Sequence, residues 1–346
     1  MESHDPNKPS YNPRRIVREH GKNALAELLI STGYVPKQEV LSVLALSLRR
    51  CKALLLGGHR GGGKTATPEA LARSCNLTMF YVPGIEGQGI DEVYGGWDRE
   101  AQKDAFSEAI AAGHTRESAQ EFKWVSECFS RGEVLEAYEF ASRAAERNEP
   151  PPLLVIDEVE KLSLKIQNTL LQPLARGWAN VPKLEGIIGV RDREHAPVVV
   201  LTSNNLKMLS DPLRSRCEVA WVELPEPYEE VAILRSRVPT ANAALLGGVV
   251  KMLYLIREDM PEVRDKPSLR ESIDLLEALV EDGARELTEG VIQEYLPCIG
   301  KDQKELINLR AGIWRLADAA NTPNYEVDEW IESAFAEDAM KLEEAA

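Results

Sequence analysis

The apolar positions of the chain change character near residue 225. Before it, short apolar runs of strand length alternate with stretches of helical period. Ala53–Leu56 is apolar, Leu77–Val82 is β-branched and aromatic, and Val198–Thr202 reads as a further core strand. Leu153–Ile156 is apolar without alternation, as fits a central parallel strand buried on both faces. Leu213–Leu224 gives a basic turn and then an alternating strand. Between these runs, Ile16–Ile30 fits one or two short helices. Pro36–Arg49 fits a helix apolar around much of its circumference, as a buried helix is. Pro68–Ser74 continues as helix, and Leu164–Ala175 is a helix with Ile166, Leu170, Leu171 and Leu174 on its apolar side. Residues 102–148 read as helical throughout, with Phe122, Val125 and Phe129 on one face and Val134, Leu135, Tyr138 and Ala141 on another. Asn180–Pro197 has the turn residues of a small hairpin. Pro225 and Pro227 mark a boundary, after which strand signals stop and the chain reads as helical, ending in an amphipathic segment, Val327–Leu342, with an acidic polar side. Residues 1–14, polar and rich in Pro and Asn, read as a loose arm.

Composition narrows the class. With 346 residues at 44% hydrophobic and 28% charged, the chain can bury a sizeable core and suggests two or three domains. A formal net charge of −15 opposes default binding to nucleic acid or to an anionic membrane. The five cysteines, Cys51, Cys75, Cys128, Cys217 and Cys298, include no C-x-x-C pair and read as free thiols of a reducing compartment. No signal pattern and no apolar run of membrane-spanning length occurs, so a cytoplasmic location is expected.

The chemistry concentrates at three places. Leu54–Thr67 contains G-x-x-x-x-G-K-[ST] with Gly58, Gly63, Lys64 and Thr65 in register, directly after an apolar run. A loop with few Cβ atoms can point successive backbone N–H groups at a triphosphate, and a helix starting near Lys64 adds its positive end. Lys64 would reach the β- and γ-phosphates, and the Thr65 hydroxyl would complete a Mg²⁺ shell. Candidate nucleotide contacts are therefore Gly58, His59, Arg60, Gly61, Gly62, Gly63, Lys64, Thr65 and Ala66. The second place is the end of the Leu153–Ile156 run, the edge where open α/β sheets bind ligands. Asp157 there can hold Mg²⁺ through water, and Glu158 can polarise an attacking water, with Glu160 the next carboxylate to consider. The third is Ser203, Asn204 and Asn205, where an Asn can cap a turn or reach the γ-phosphate or the water. Gly84–Glu100 stands apart: five glycines with Tyr94 and Trp97 describe either a mobile loop whose exposed aromatics grip a partner, or an irregular segment with its aromatics tucked in. Ser268 and Glu271 form a capping-box pattern that puts Arg270 in a first helical turn, against the helix dipole. Arg270 is thus open to a functional or a merely solvated reading.

These motifs resemble the AAA+ ATPases and, among them, the MoxR-like branch. G-G-H-R-G-G-G-K-T is similar to Walker A, L-L-V-I-D-E to Walker B, and V-V-V-L-T-S-N-N to the sensor 1 strand. L-S-D-P-L-R-S-R-C resembles the arginine-finger segment, and P-S-L-R the sensor 2 pattern. I-D-E-V-Y-G-G-W-D resembles the helix 2 insert, and N-V-P-K-L-E-G the hairpin before sensor 1. The resemblance implies an α/β fold, a five-stranded parallel αβα nucleotide-binding core followed by a helical lid domain. The domains would be an N-terminal arm with helices (1–34), the large P-loop domain (35–225, insert about 84–104, hairpin about 181–196) and the lid with its acidic last helix (226–346). It implies ATP and Mg²⁺ as ligands, with Thr65 and Asp157 at the metal and Asp157 and Arg270 at the nucleotide. Glu158, Asn204, Arg216 and, second to it, Arg214 would be the catalytic residues. It implies assembly with itself into a ring, a hexamer, with Arg216 completing a neighbour's site. The implied function is remodelling or maturation of a separate partner protein, which in this branch often carries a von Willebrand factor A domain. Competing readings are a nucleic-acid motor or clamp-loader-like ATPase, which the R-S-R-C segment also resembles, and a nucleotide switch of low turnover.

Overall fold

The computed structural model describes residues 5, 8–182, 184 and 186–344. They group into two units. One takes in the chain up to Thr32, Pro36–Gly58 and Lys64–Val222; the other takes in Gly33–Val35, His59–Gly63 and the chain from Glu223.

The first unit is built on a sheet of five parallel strands in the order β2-β5-β8-β1-β9: β1 Ala53–Gly58, β2 Met79–Pro83, β5 Leu153–Asp157, β8 Val198–Ser203 and β9 Cys217–Val222. All five lie on the runs expected from the sequence. β1 and β8 are buried along their whole length, as the lack of alternation requires of strands covered on both faces. β9 is an edge strand, and its alternation leaves Val219 and Trp221 exposed. The register sets Leu55 beside both Leu201 and Val219, and Pro83 beside Asp157. The C-terminal ends of β1, β5 and β8 therefore share one edge of the sheet. Helices α1 Pro13–Glu19, α2 Gly21–Ile30, α3 Gln38–Arg50 and α4 Ala66–Cys75 belong to this unit, with α3 packed on β1 and β9. The phosphate-loop helix begins at Ala66, two residues later than expected, with Lys64 and Thr65 in the turn before it.

Two expectations are corrected in this unit, for the arm and for residues 102–148, and the alternatives left open for Gly84–Glu100 are resolved. The described part of the arm is tied down. Asn76, the left-handed C-cap of α4, donates through its amide to the carbonyls of Asp5 and Lys8 (2.9 Å each), and Tyr11 N–H bonds the Cys75 carbonyl at 2.9 Å. The arm is held through its backbone, which its polar composition does not signal. Residues 1–4, 6 and 7 lie outside the described residues. The Gly84–Glu100 stretch does not display its aromatics. After α5 Ile90–Val93, strand β3 Gly95–Trp97 pairs antiparallel with β4 Phe129–Arg131. Tyr94 is 7% exposed, and Trp97 packs edge-on against Trp124 and Phe129, with ring centres 5.0 and 5.2 Å away. Residues 102–148 are likewise not one helical stretch. α6 Arg99–Ala111 stops before Gly113, which lies at φ +93°; Thr115 caps the short α7 Arg116–Ala119, two single 3-10 turns lead into β4, and α8 Glu133–Glu146 follows Gly132. Because the intervening segment is turn and strand, Phe122 and Val125 are exposed while Phe129 is buried.

α8 carries Val134, Leu135, Tyr138 and Ala141 into the core, and α9 Leu164–Arg176 buries Ile166, Leu170 and Leu174. The expected hairpin forms as two residues on each side, β6 Trp178–Ala179 against β7 Ile188–Gly189. Lys183 and Glu185, in its connection, lie outside the described residues. The short α10 Asp211–Arg214 precedes β9. At the opposite, N-terminal edge of the sheet, Arg14 is 3% exposed and donates to the carbonyls of Glu194 and Ala196 (2.6 Å each) and Pro197 (2.9 Å), just ahead of β8.

The second unit is helical: α11 Pro227–Arg237, α12 Ala243–Asp259, α13 Leu269–Glu281, α14 Glu289–Ile299, α15 Gln303–Ala311, α16 Ile313–Asn321 and α17 Tyr325–Glu344. α12 is buried on most of its surface and centres a core of Leu245, Leu253, Ile256, Leu275 and Leu316. Within that core the fully buried Glu230 takes a two-pronged ion pair from Arg257 (2.6 and 2.9 Å), which satisfies a charge that would otherwise be costly to bury. The capping box at Ser268 and Glu271 is formed. α17 buries Val327 and Ile331, while the side chains of 337–342 in the expected amphipathic tail lie outside those described. Among the described residues no helix is long and apolar enough to cross a membrane.

Candidate active site

The C-terminal edge of the sheet collects the polar side chains that the apolar strands cannot hold. β1 ends at Gly58, whose φ of +153° and position leave no room for a side chain: a Cβ would lie 2.2 Å from the Val222 carbonyl oxygen. The chain can then turn sharply and return at Lys64. Lys64 is 7% exposed, and its ammonium donates to the Gly58 carbonyl at 3.0 Å and to Asn204 Oδ1 at 2.8 Å. A buried ammonium beside a glycine turn gives strong attraction for an anion, since few water molecules compete for it.

Asn204 follows the last residue of β8 and bridges two charges. Its Oδ1 accepts from Lys64, and its Nδ2 donates to Glu158 Oε1 at 2.8 Å. Its backbone N–H donates to Glu160 Oε1 at 2.9 Å. The other oxygen of Glu158 is ion-paired with Lys161. Glu158 is one of four non-glycine residues with positive φ among those described (φ +49°), and its N–H is fixed by the Thr202 hydroxyl at 2.9 Å. Gly84 lies against this turn. Its N–H donates to the Asp157 carbonyl at 2.7 Å, and a Cβ there would come within 2.2 Å of the Glu158 carbonyl oxygen.

Asp157 receives two hydroxyls, from Thr202 and, at 2.7 Å, from Tyr81 on the neighbouring β2. Desolvation, then the hydrogen bond to the Asp157 carboxylate, push the Tyr81 phenol pKa well up, so Tyr81 stays a donor. Among the described residues no group of three or more His, Cys, Asp or Glu could hold a metal by itself. Asp157 and the half-buried Thr65 hydroxyl offer hard oxygen donors, the set that suits a Mg²⁺ held mainly by phosphates and water.

The structure thus brings together Gly58, Lys64, Asp157, Glu158 and Asn204 from the sequence-predicted set. The arginines Arg214 and Arg216 are not joined to this network. Arg214 is paired with Asp211, and Arg216 donates to the Pro212 carbonyl at 2.8 Å, with its Nε buried and without a partner among the described residues. His59–Gly63 and Arg270 fall in the second unit. There Gly61 and Gly63 adopt φ of +69° and +86°, as a tight anion-binding turn needs. Arg270 is exposed in the first turn of α13. Sequence reasoning missed Tyr81, Thr202 and Lys161. Only Thr202, a hydroxyl ending an apolar run, carried a signal.

Residues 53–217 match the family model described as AAA domain (dynein-related subfamily). The sequence matches no curated protein. Among solved structures, two variants of RuvB from Thermotoga maritima align at 14% and 15% identity, each with a TM-score of 0.42. They cover 79% and 82% of this chain and 72% and 79% of their own. The parallel sheet, its phosphate loop and the family match agree: residues 53–217 carry an AAA domain, on the fold of an AAA+ P-loop nucleotide-binding protein.

Proposed function

We propose that this chain is an ATPase of the MoxR-like branch of AAA+ proteins, which couples ATP hydrolysis in a ring to remodelling or maturation of a separate partner protein. The observation that carries the reading is the line of contacts from Lys64 through Asn204 to Glu158. It joins the group that would neutralise a γ-phosphate to the group that would take a proton from water. In hydrolysis a water oxygen bonds the γ-phosphorus, the bond to the β–γ bridging oxygen breaks, and ADP and phosphate leave. Lys64 would hold the β- and γ-oxygens, giving up Asn204 Oδ1 as it does so. Asn204 would then orient the water, and Glu158 Oε1 would accept its proton. Thr65 and, through water, Asp157 would hold Mg²⁺, which when bound supplies charge neutralisation on the phosphates.

Arg216 would act in the site of a neighbouring copy, with Arg214 the second candidate. The half-exposed side chain of Arg216 engages only a backbone carbonyl among the described residues, which leaves guanidinium donors for a partner. An arginine supplied from outside stabilises transition-state charge by about 10³- to 10⁵-fold in rate. The net charge of −15 favours a protein substrate over a nucleic acid. The partner is a separate chain, for which a von Willebrand factor A domain is the first candidate.

The test uses two variants co-expressed with different tags and purified through both. Alone, Glu158→Gln should bind ATP with Mg²⁺ and not turn it over, and Arg216→Ala should also be inactive. Mixed rings regain interfaces with an intact Glu158 facing an intact Arg216, so they should recover ATPase. Doubly tagged rings as inactive as either parent, beside an active wild type, would put the arginine in its own subunit. Rapid turnover by Glu158→Gln would move the base elsewhere. The same variant held in ATP is the reagent for capturing the partner.

A further inference from the structure

We propose that Glu160 is a positioning residue for the hydrolytic step: it sets where Asn204 sits, and through it how Lys64 and Glu158 are aligned. The inference rests on the reading of Asn204 given above. Glu160 belongs to the single 3-10 turn Val159–Lys161 that follows β5, and its Oε1 accepts the backbone N–H of Asn204 at 2.9 Å. Its Oε2 is buried and has no hydrogen-bond partner among the described residues. A carboxylate oxygen kept from water without a donor costs free energy, so its retention calls for a role.

The geometry supplies that role. Asn204 follows β8 at a point where the pairing with the neighbouring strand β5 has already ended, at Ile156 opposite Leu201, so β5 provides no ladder partner for its N–H. Glu160 stands in for that missing partner. With the N–H held there, the amide of Asn204 meets both Lys64 at 2.8 Å and Glu158 at 2.8 Å. Glu160 itself is engaged on Asn204 and is therefore not the alternative base that its place in D-E-V-E-K suggests. Glu158 and Glu160, two residues apart, divide the work. Glu158 faces the reacting water, and Glu160 holds the residue that orients it.

A positioning role predicts a loss in kcat with nucleotide affinity kept, because Lys64 and the loop still bind the phosphates. Glu160→Met fills the same volume without an acceptor and should lower kcat about 10- to 100-fold, the usual cost of a reacting group displaced by an ångström. The Kd for ATP should stay within twofold. Glu160→Gln keeps an acceptor and should retain kcat within about threefold, and it remains informative should the Met variant fail to fold. The deciding comparison is with Asn204→Ala. If Glu160 acts through Asn204, the double variant Glu160→Met/Asn204→Ala should be no slower than Asn204→Ala alone. Multiplying losses would overturn the proposal, as would wild-type kcat in Glu160→Met or a Glu160→Gln as impaired as Glu160→Met. A wild-type kcat in Asn204→Ala would instead remove the reading of Asn204, and this inference with it.

Discussion

The two ends of the same parallel sheet carry similar charges and use them in opposite ways. At the N-terminal edge, Arg14 spends its guanidinium on three backbone carbonyls, of Glu194, Ala196 and Pro197, and Arg193 bonds the Cys51 carbonyl. At the C-terminal edge, Lys64 shares its ammonium between one carbonyl and the Asn204 side chain, and Lys161 pairs with the Glu158 side chain. A backbone acceptor cannot leave without moving the chain, whereas a side-chain acceptor can rotate away when a ligand offers a better partner. Arg14 and Arg193 are therefore placed to hold, whereas Lys64 keeps one fixed acceptor and, like Lys161, one that can exchange.

The largest effect expected from that contrast is at Lys64. Lys64→Ala should lower ATP affinity beyond detection, by more than about 100-fold, with a smaller loss of stability than at Arg14, since it takes a donor from one backbone carbonyl, that of Gly58, rather than from three. Calorimetric titration with ATP and Mg²⁺ checks this; unchanged affinity would make the two edges alike. Arg14→Met should do the reverse. Leaving three carbonyls without their donor should cost about 3 kcal/mol of stability in a urea titration, while the folded fraction binds ATP normally. Tyr81→Phe, which removes one hydroxyl from Asp157, should be milder: the Mg²⁺ concentration for half-maximal ATPase should rise about threefold at unchanged stability.

The smallest effect concerns pH. Burial pushes the Glu194 carboxyl up, but hydrogen bonds from Arg18 and the Cys51 thiol, with the charges of Arg18 and Arg14, more than offset it and hold the pKa below its ordinary value. A lowered folded-state pKa gives stability that is present above the unfolded value and fades as pH falls through the folded one. Acid should thus loosen the N-terminal edge slightly, and Glu194→Gln should flatten the stability profile below about pH 4.5. An identical profile in the variant would assign the acid sensitivity to other carboxylates.

The strands were legible because burial on both faces writes itself into the sequence as apolar runs, as in Leu153–Ile156 and Val198–Thr202. The main side chains of the site were legible for related reasons, since Asp157, Glu158 and Asn204 stand where such a run gives out and Lys64 stands at a fixed place in the glycine pattern that follows one. What could not be read depends on strand order. Tyr81 meets Asp157 only because β2 pairs with β5, and Thr202 meets it only because β8 lies on the other side. Neither adjacency has a local signal across separations of 76 and 45 residues. The 102–148 segment misled for the opposite reason. Its local helical preference is real in α6 and α8, but between them the pairing of β4 with β3 overrides it.

The left-handed backbone of Glu158 has a consequence for how variants of this chain would sort. Glycine would occupy φ +49° without strain, and asparagine with little, so both should make the protein harder to melt while leaving it unable to cleave ATP. A library selected for heat resistance and the same library selected for turnover should therefore disagree in sign at position 158. Such a reversal marks a residue kept for its chemistry against the preference of its own backbone.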